Sequence, residues 1–205
     1  HDGPASLSAD EKTVYLTKCN IVVKKIKGVA VNVINLKLYI LTKDAEGKLS
    51  KPENFPYNSN DYSVGHATVT KDGKRMYFVS DMPGGYGQTD LYLSEYKDGQ
   101  WQKPENLGQA INTEGREMFP YVHEDGTLFF STDGRAGLGG LDLYFTVPVM
   151  DAYFEPQSLG YPINSNFDDF GFALNEDLKT GYFSSNRTGG KGKDDIYFFR
   201  SKEPL

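Results

Sequence analysis

Three stretches of the chain set acids around a cluster of glycines: "FVSDMPGGYGQTDLY" from Phe78, "FSTDGRAGLGGLDLY" from Phe130 and "FSSNRTGGKGKDDIY" from Phe183. Oxygen ligands at Asp81 and Asp90, at Asp133 and Asp142, or at Asn186 with Asp194 and Asp195 are of the hard type that calcium takes. The run Gly189-Gly190-Lys191-Gly192-Lys193 suggests a phosphate cradle. A further acidic group, Glu114, Glu117, Asp168 and Asp169, could supply paired carboxylates for glycoside hydrolysis. Each reading meets an objection. The acids follow no EF-hand spacing and two carboxylates are few for a tight calcium site. The glycine-lysine run lacks the full P-loop spacing, and no helix is expected after it. The four linker acids read more simply as solvated side chains capping exposed amides. His66 and His123 fall at non-equivalent places, and no G-x-S-x-G, H-E-x-x-H or supported Cys–His arrangement occurs. No catalytic, cofactor-binding or metal-binding residue is therefore assigned, and no enzyme activity is expected.

The boxes repeat. Gly85, Gly137 and Gly190 align, as do Gly87, Gly139 and Gly192, and the closing Asp90, Asp142 and Asp195. Upstream of each box stand "GHATVTKDGKRMYF", "FPYVHEDGTLFF" and "FGFALNEDLKTGYF", with an earlier copy "GPASLSADEKTVYL", so that Asp10, Asp72, Asp125 and Asp177 mark equivalent turns. The linkers match too, carrying Pro52, Pro104 and Pro156 followed by Asn58, Asn112 and Asn164. Four copies, over about 1–57, 58–111, 112–163 and 164–205, account for almost the whole chain.

Each copy reads as strands. Two apolar runs flank Asp72-Gly73, a tight-hairpin signal, and Leu91, Leu93 and Tyr96 mark a third run. A short, proline-limited fourth strand is expected near Trp101. No window holds a 3.6-residue period over ten residues. Units of about 50 residues with four short antiparallel strands are the signature of propeller blades. The expected fold is all-β, a single β-propeller domain or propeller fragment over 1–205, complete or part of a larger ring. In it the box glycines would permit positive φ at a rim turn, and the closing aspartate would accept hydrogen bonds from loop amides or from Ser80, Thr132 or Ser185. Tyr77, Phe78, Phe129, Phe130, Tyr182 and Phe183 are expected to pack between or within blades.

A formal net charge of −6 argues against nucleic acid or an anionic membrane surface as partner. No run of 18 apolar residues is long enough to span a bilayer. The single cysteine, Cys19, reads as a small residue in a turn region and fits no metal spacing. The chain starts inside the first copy, without an initiator Met or signal peptide, and reads as an excerpt of a longer protein.

The unit from Asn58 to Tyr92 resembles the WD40-like, TolB-type (PD40) propeller repeat. The two later units, "EMFPYVHEDGTLFFSTDGRAGLGGLDLY" and "DDFGFALNEDLKTGYFSSNRTGGKGKDDIY", resemble the propeller of OmpA-family lipoproteins of the Bacteroidetes. That resemblance implies a periplasmic, outer-membrane-associated protein and a non-enzymatic scaffold for envelope proteins of type IX secretion. It also implies peptidoglycan binding through a domain that is not in this chain. The alternative is an extracytoplasmic propeller that binds or processes carbohydrate or peptide.

The first copy breaks the pattern. Leu16 to Tyr39 takes 23 residues where the others take 14, Lys37 stands in place of the aspartate, and "TKCNIVVKKIKGVAVNVINLK" replaces the box. Its alternating β-branched residues around Gly28 predict a longer hairpin, either extra sheet packed on the blade or an exposed edge for a partner strand. Val23, Lys24, Lys25, Ile26 and Lys27 are the candidate partner-binding residues.

Overall fold

The computed structural model describes residues 2–150 and 152–205, and all regular structure among them is β. Four antiparallel sheets follow one another along the chain as the blades of a β-propeller. The first blade holds β1 (Asp2–Leu7), β2 (Thr13–Ile26), β3 (Val29–Thr42) and β4 (Glu53–Asn54). The second holds β5 (Val64–Val69), β6 (Arg75–Ser80), β7 (Asp90–Lys97), β8 (Gln100–Trp101) and β9 (Glu105–Asn106). The third is β10 (Glu117–Val122), β11 (Leu128–Thr132) and β12 (Asp142–Thr146), an accessory hairpin β13 (Pro148–Val149) and β14 (Ala152–Tyr153), and β15 (Gln157–Ser158). The fourth has three strands, β16 (Asp169–Leu174), β17 (Thr180–Ser185) and β18 (Asp195–Arg200).

The hairpin turns come from the repeated aspartates. Asp10, Asp72, Asp125 and Asp177 each accept the backbone N–H two residues on, at 3.1, 3.0, 2.9 and 2.9 Å, the local bond that makes Asp a turn residue. The outermost strand differs from expectation. Near Trp101 there is only an extra two-residue strand, β8. The recurrent fourth strand is the linker itself: Glu53-Asn54, Glu105-Asn106 and Gln157-Ser158, each just after the linker proline, pair with the third strand. A proline beside such an edge costs no ladder hydrogen bond.

Side-chain alternation in the second strands builds the core between blades. Tyr15 and Leu38 of the first blade face forward onto Phe78 and Tyr92 of the second. Tyr77 and Leu91 of the second face Phe130 and Tyr144 of the third. Phe129 and Leu143 of the third face Phe183 of the fourth. Of the six expected core aromatics, five are buried; Tyr182, which faces forward from the fourth blade, is 47% exposed. Each linker asparagine then clamps the blade before it. Asn58, Asn112 and Asn164 accept the N–H of Leu38, Leu91 and Leu143 at 2.9, 2.8 and 2.8 Å and donate Nδ2–H to the same residue's carbonyl at 2.7, 3.0 and 2.9 Å.

Candidate functional site

The glycine boxes join the second to the third strand in blades two to four. Asp90 accepts the amides of Tyr86 and Gly87 at 2.6 and 3.1 Å. Asp142 accepts those of Leu138 and Gly139 at 2.9 and 3.0 Å, and Asp195 those of Lys191 and Gly192 at 2.8 and 2.9 Å. Ser80, Thr132 and Ser185 do not bond these carboxylates; their hydroxyls accept the next loop amides, from Met82, Gly134 and Arg187. The six repeated glycines are not required for positive φ either, which falls instead on Gly84 and Gly189. They give room. A Cβ on Gly85, Gly137 or Gly190 would stand 2.3, 2.0 or 2.0 Å from the Oδ2 of its own closing aspartate. One on Gly87 or Gly139 would stand 2.3 or 2.1 Å from a carbonyl of the following linker, Thr113 or Phe167. The opening acids are occupied as well: Asp81, Asp133 and Asn186 accept the amides of Ser63, Arg116 and Asp168, just ahead of each inner strand. Each box acid therefore points at backbone amides, and of the closing pair on Asp142 only Oδ2 does so, its Oδ1 being buried without a partner. Among the described residues no group of three or more His, Cys, Asp or Glu is arranged to hold a metal.

The linker acids are not the solvated set that the sequence suggested. Glu117 and Asp169, at the starts of β10 and β16, are fully buried. Glu117 accepts the Thr113 N–H and hydroxyl and the Thr132 hydroxyl at 2.9, 2.7 and 2.7 Å. Asp169 accepts the Ser165 N–H and hydroxyl at 2.6 and 2.8 Å and the Arg187 guanidinium at 2.5 Å. Asp168 accepts the Leu141 amide at 2.9 Å, and Glu114 is exposed. A buried carboxylate is tolerated when its lone pairs are satisfied in this way, and these anchor the linkers.

Two features remain for function. The first is a central cavity of about 410 Å³ bordered by all four inner strands. Each inner strand is bulged, and His66, Phe119 and Gly171 occupy equivalent bulge positions at φ of 52°, 51° and 62°. Non-glycine residues rarely hold this conformation, which costs of order 1–3 kcal/mol. The His66 ring stacks on Phe119 at 4.4 Å, and Phe119 packs against Phe170 at 4.9 Å. The His66 N–H donates to Thr17 Oγ1 at 2.8 Å, while its ring Nδ1 is buried without a partner. Burial holds the imidazole down to about 4, so it is neutral at neutral pH. Nothing in the pattern of histidines marks His66, because its counterparts in the repeats are a phenylalanine and a glycine rather than His123.

The second is the first-blade hairpin. β2 and β3 pair without a break from Thr13 with Thr42 to Ile26 with Val29, closed by Lys27 and Gly28 at φ of 49° and 83°, the backbone sign of a type I′ turn. β1 covers β2 only as far as Lys18, and β4 pairs β3 only at Tyr39 and Ile40. The outer part of the hairpin thus carries two edges that no strand among the described residues covers. One face holds Ile21, Val23 and Ile34, which are 65%, 67% and 64% exposed, with Lys25 beside them. The other is turned to the second blade, where Asn35 donates to the Asn60 carbonyl at 2.8 Å and Lys24 pairs with Asp61 at 3.2 Å. Of the candidate residues, Val23, Lys25 and Lys27 are free in solvent and Lys24 lies on the opposite face. The side chain of Ile26 is outside the described residues. Cys19, expected in a turn region, lies in β2 opposite Leu36 and is exposed. Ile21 and Ile34 complete the apolar strip; only the cross-strand register, which brings Ile21 opposite Ile34, reveals them.

No protein-family model and no curated protein matches the sequence. Among solved structures the chain is similar to a puromycin-hydrolyzing peptidase of Mycobacterium tuberculosis, at 14% identity and a TM-score of 0.57, over 100% of this chain and 31% of that one. It is also similar to an alpha-L-arabinofuranosidase from Lactobacillus brevis, at 17% identity and a TM-score of 0.55, over 93% and 69%. The shared feature is the β-propeller. At such identity the likeness extends to the fold alone, and the chain spans under a third of the peptidase's length.

Proposed function

We propose that this propeller is a non-enzymatic protein-interaction scaffold of the bacterial cell envelope. The observation that carries the reading is the projecting hairpin. Ile21, Val23 and Ile34 form an apolar strip in solvent, and both strand edges beside it are open. A strand with uncovered N–H and C=O groups invites strand addition, and alternate side chains beside it select the partner. Lys25 and Lys27 would steer an acidic segment on an otherwise acidic chain. The repeat resemblance supports a PD40, TolB-type propeller from an OmpA-family lipoprotein, similar to the type IX secretion component PorE. Partners would then be periplasmic proteins of that machinery, with peptidoglycan held by a separate domain. The test is capture from envelope extract on the immobilised chain, with bound proteins identified by mass spectrometry. The triple substitution Ile21→Asp, Val23→Asp and Ile34→Asp should remove secretion components from the captured set and leave the melting curve unchanged. Unaltered capture would move the site elsewhere.

A second reading draws on the cavity, where the unpartnered His66 Nδ1 beside stacked aromatics suits a ligand with an apolar face and one polar group. It makes the chain a carbohydrate- or peptide-binding propeller. Binding to a glycan or peptide array that His66→Phe abolishes, and the hairpin substitutions do not, would favour it.

A further inference from the structure

The devices that join one blade to the next recur along the first three blades, the apolar faces and asparagine clamps three times and the glycine contacts twice, and then stop at the fourth blade. The forward positions Tyr15, Leu38 and Ile40 recur as Tyr77, Leu91 and Leu93, as Phe129, Leu143 and Phe145, and as Tyr182, Ile196 and Phe198. The first three sets are packed under the next blade. The fourth set is 47%, 76% and 53% exposed, with the Tyr182 and Phe198 rings 5.4 Å apart on the bare face. Leu38, Leu91 and Leu143 are each held through N–H and C=O by the asparagine of the following linker; no asparagine among the described residues bonds Ile196. Gly87 and Gly139 lie against the carbonyls of the following linker, and Gln88 and Gly140 donate to it. No following linker among the described residues lies over the equivalent Gly192, whose nearest neighbours all belong to its own loop, the Asp194 carbonyl first at 3.3 Å.

We infer that the forward face of the fourth blade is an interface whose occupant is one further blade of this same repeat type, with its leading linker. The face is continuous with three established interfaces of identical register, so the occupant's chemistry follows from them. It presents a large aromatic on its second strand and a tyrosine on its third, the places of Phe183 and Tyr197. Its linker asparagine takes both polar groups of Ile196, and its linker backbone closes over Gly192. A second copy of the chain offers instead the back of its first blade, where Val14, Leu16 and Tyr39 are half-buried, and brings no linker asparagine to Ile196. This inference is independent of what the hairpin binds.

The test extends the full chain with a second copy of residues 157–205, the linker and blade that cover the third blade, and in parallel with residues 105–158. The Ile196 amide should exchange at least about tenfold more slowly in an extended chain, and the melting temperature should rise by at least about 4 °C. Phe198→Asp should cancel that rise, yet move the melting temperature of the 205-residue chain by no more than about 1 °C. Failure of both extensions to protect Ile196 overturns the proposal. So does a large loss of stability from Phe198→Asp in the unextended chain, because the face would then already be covered. A concentration-dependent dimer of the unextended chain that Phe198→Asp dissolves also overturns it, and assigns the face to a second copy.

Discussion

Replacing Asn112 by alanine should be among the most damaging single changes in the molecule, although the side chain touches no cavity and carries no charge. Asn112 is 2% exposed and Leu91, which it clamps, is fully buried. Its Oδ1 accepts the Leu91 N–H at 2.8 Å, and its Nδ2 donates to the Leu91 carbonyl at 3.0 Å and to Asn106 Oδ1 at 2.8 Å. Alanine leaves the Leu91 N–H dry and unpaired, while the Leu91 carbonyl keeps only the Leu107 N–H at 3.1 Å. An unsatisfied buried group costs about 1–3 kcal/mol, so the orphaned N–H, together with the lost bonds to the Leu91 carbonyl and to Asn106, should cost about 3 kcal/mol. In a domain of this size that is a fall in melting temperature of about 6–12 °C. The equivalent Asn58→Ala acts at a half-buried site that water can enter, and should cost about 1 kcal/mol. Asn112→Asp keeps the acceptor but sets a carboxylate against the Leu91 carbonyl, so at pH 7 it should be at least as damaging as alanine. Calorimetry and urea unfolding of the three variants measure this directly. A loss under about 2 °C for Asn112→Ala, or equal losses at positions 58 and 112, would refute the argument that desolvated backbone groups make the clamp matter.

Gly137→Ala should destabilise strongly, because its Cβ would stand 2.0 Å from Asp142 Oδ2 and break the amide cap, whereas Gly192→Ala, whose Cβ would meet its own loop's Asp194 carbonyl at 3.3 Å and need a shift of only a few tenths of an ångström, should cost clearly less in the same melts. His66 gives a pH dependence. Its folded value is held to about 4 by burial while the unfolded imidazole titrates near 6.5, so the unfolded state binds more protons between the two. Stability is therefore full above about pH 6.5 and falls on acidification by on the order of 3 kcal/mol at pH 4. His66→Phe, which copies Phe119 at the same φ, should remove that slope, and an unchanged slope in urea titrations would show that other groups produce it. The triple hairpin substitution should leave the melting temperature within about 2 °C, since Ile21, Val23 and Ile34 are largely in solvent already; a cooperative loss would mean the hairpin packs on something in solution.

Repetition carried most of the fold into view. Period-two alternation, Asp-centred turns and aligned linkers are local patterns, so the four strand-rich units, their turns and the order of blades follow from the chain alone. The same repetition marked Asn58, Asn112 and Asn164, but what they bond is another strand about 20 residues earlier, a contact that exists only once the linker has crossed the sheet. The glycine boxes were legible as turns and their reason was not. Positive φ is a property of one residue, whereas the 2 Å approach of an aspartate or a neighbouring carbonyl arises from how the loop closes. Glu117 and Asp169 looked like loop acids because burial depends on what lies above them. The hairpin was predicted as strands, with its packing left open between blade and solvent. Tertiary structure decided that, since β1 and β4 end before the insertion does, and it likewise left the forward aromatics of the fourth blade bare where an identical pattern in the other blades is covered.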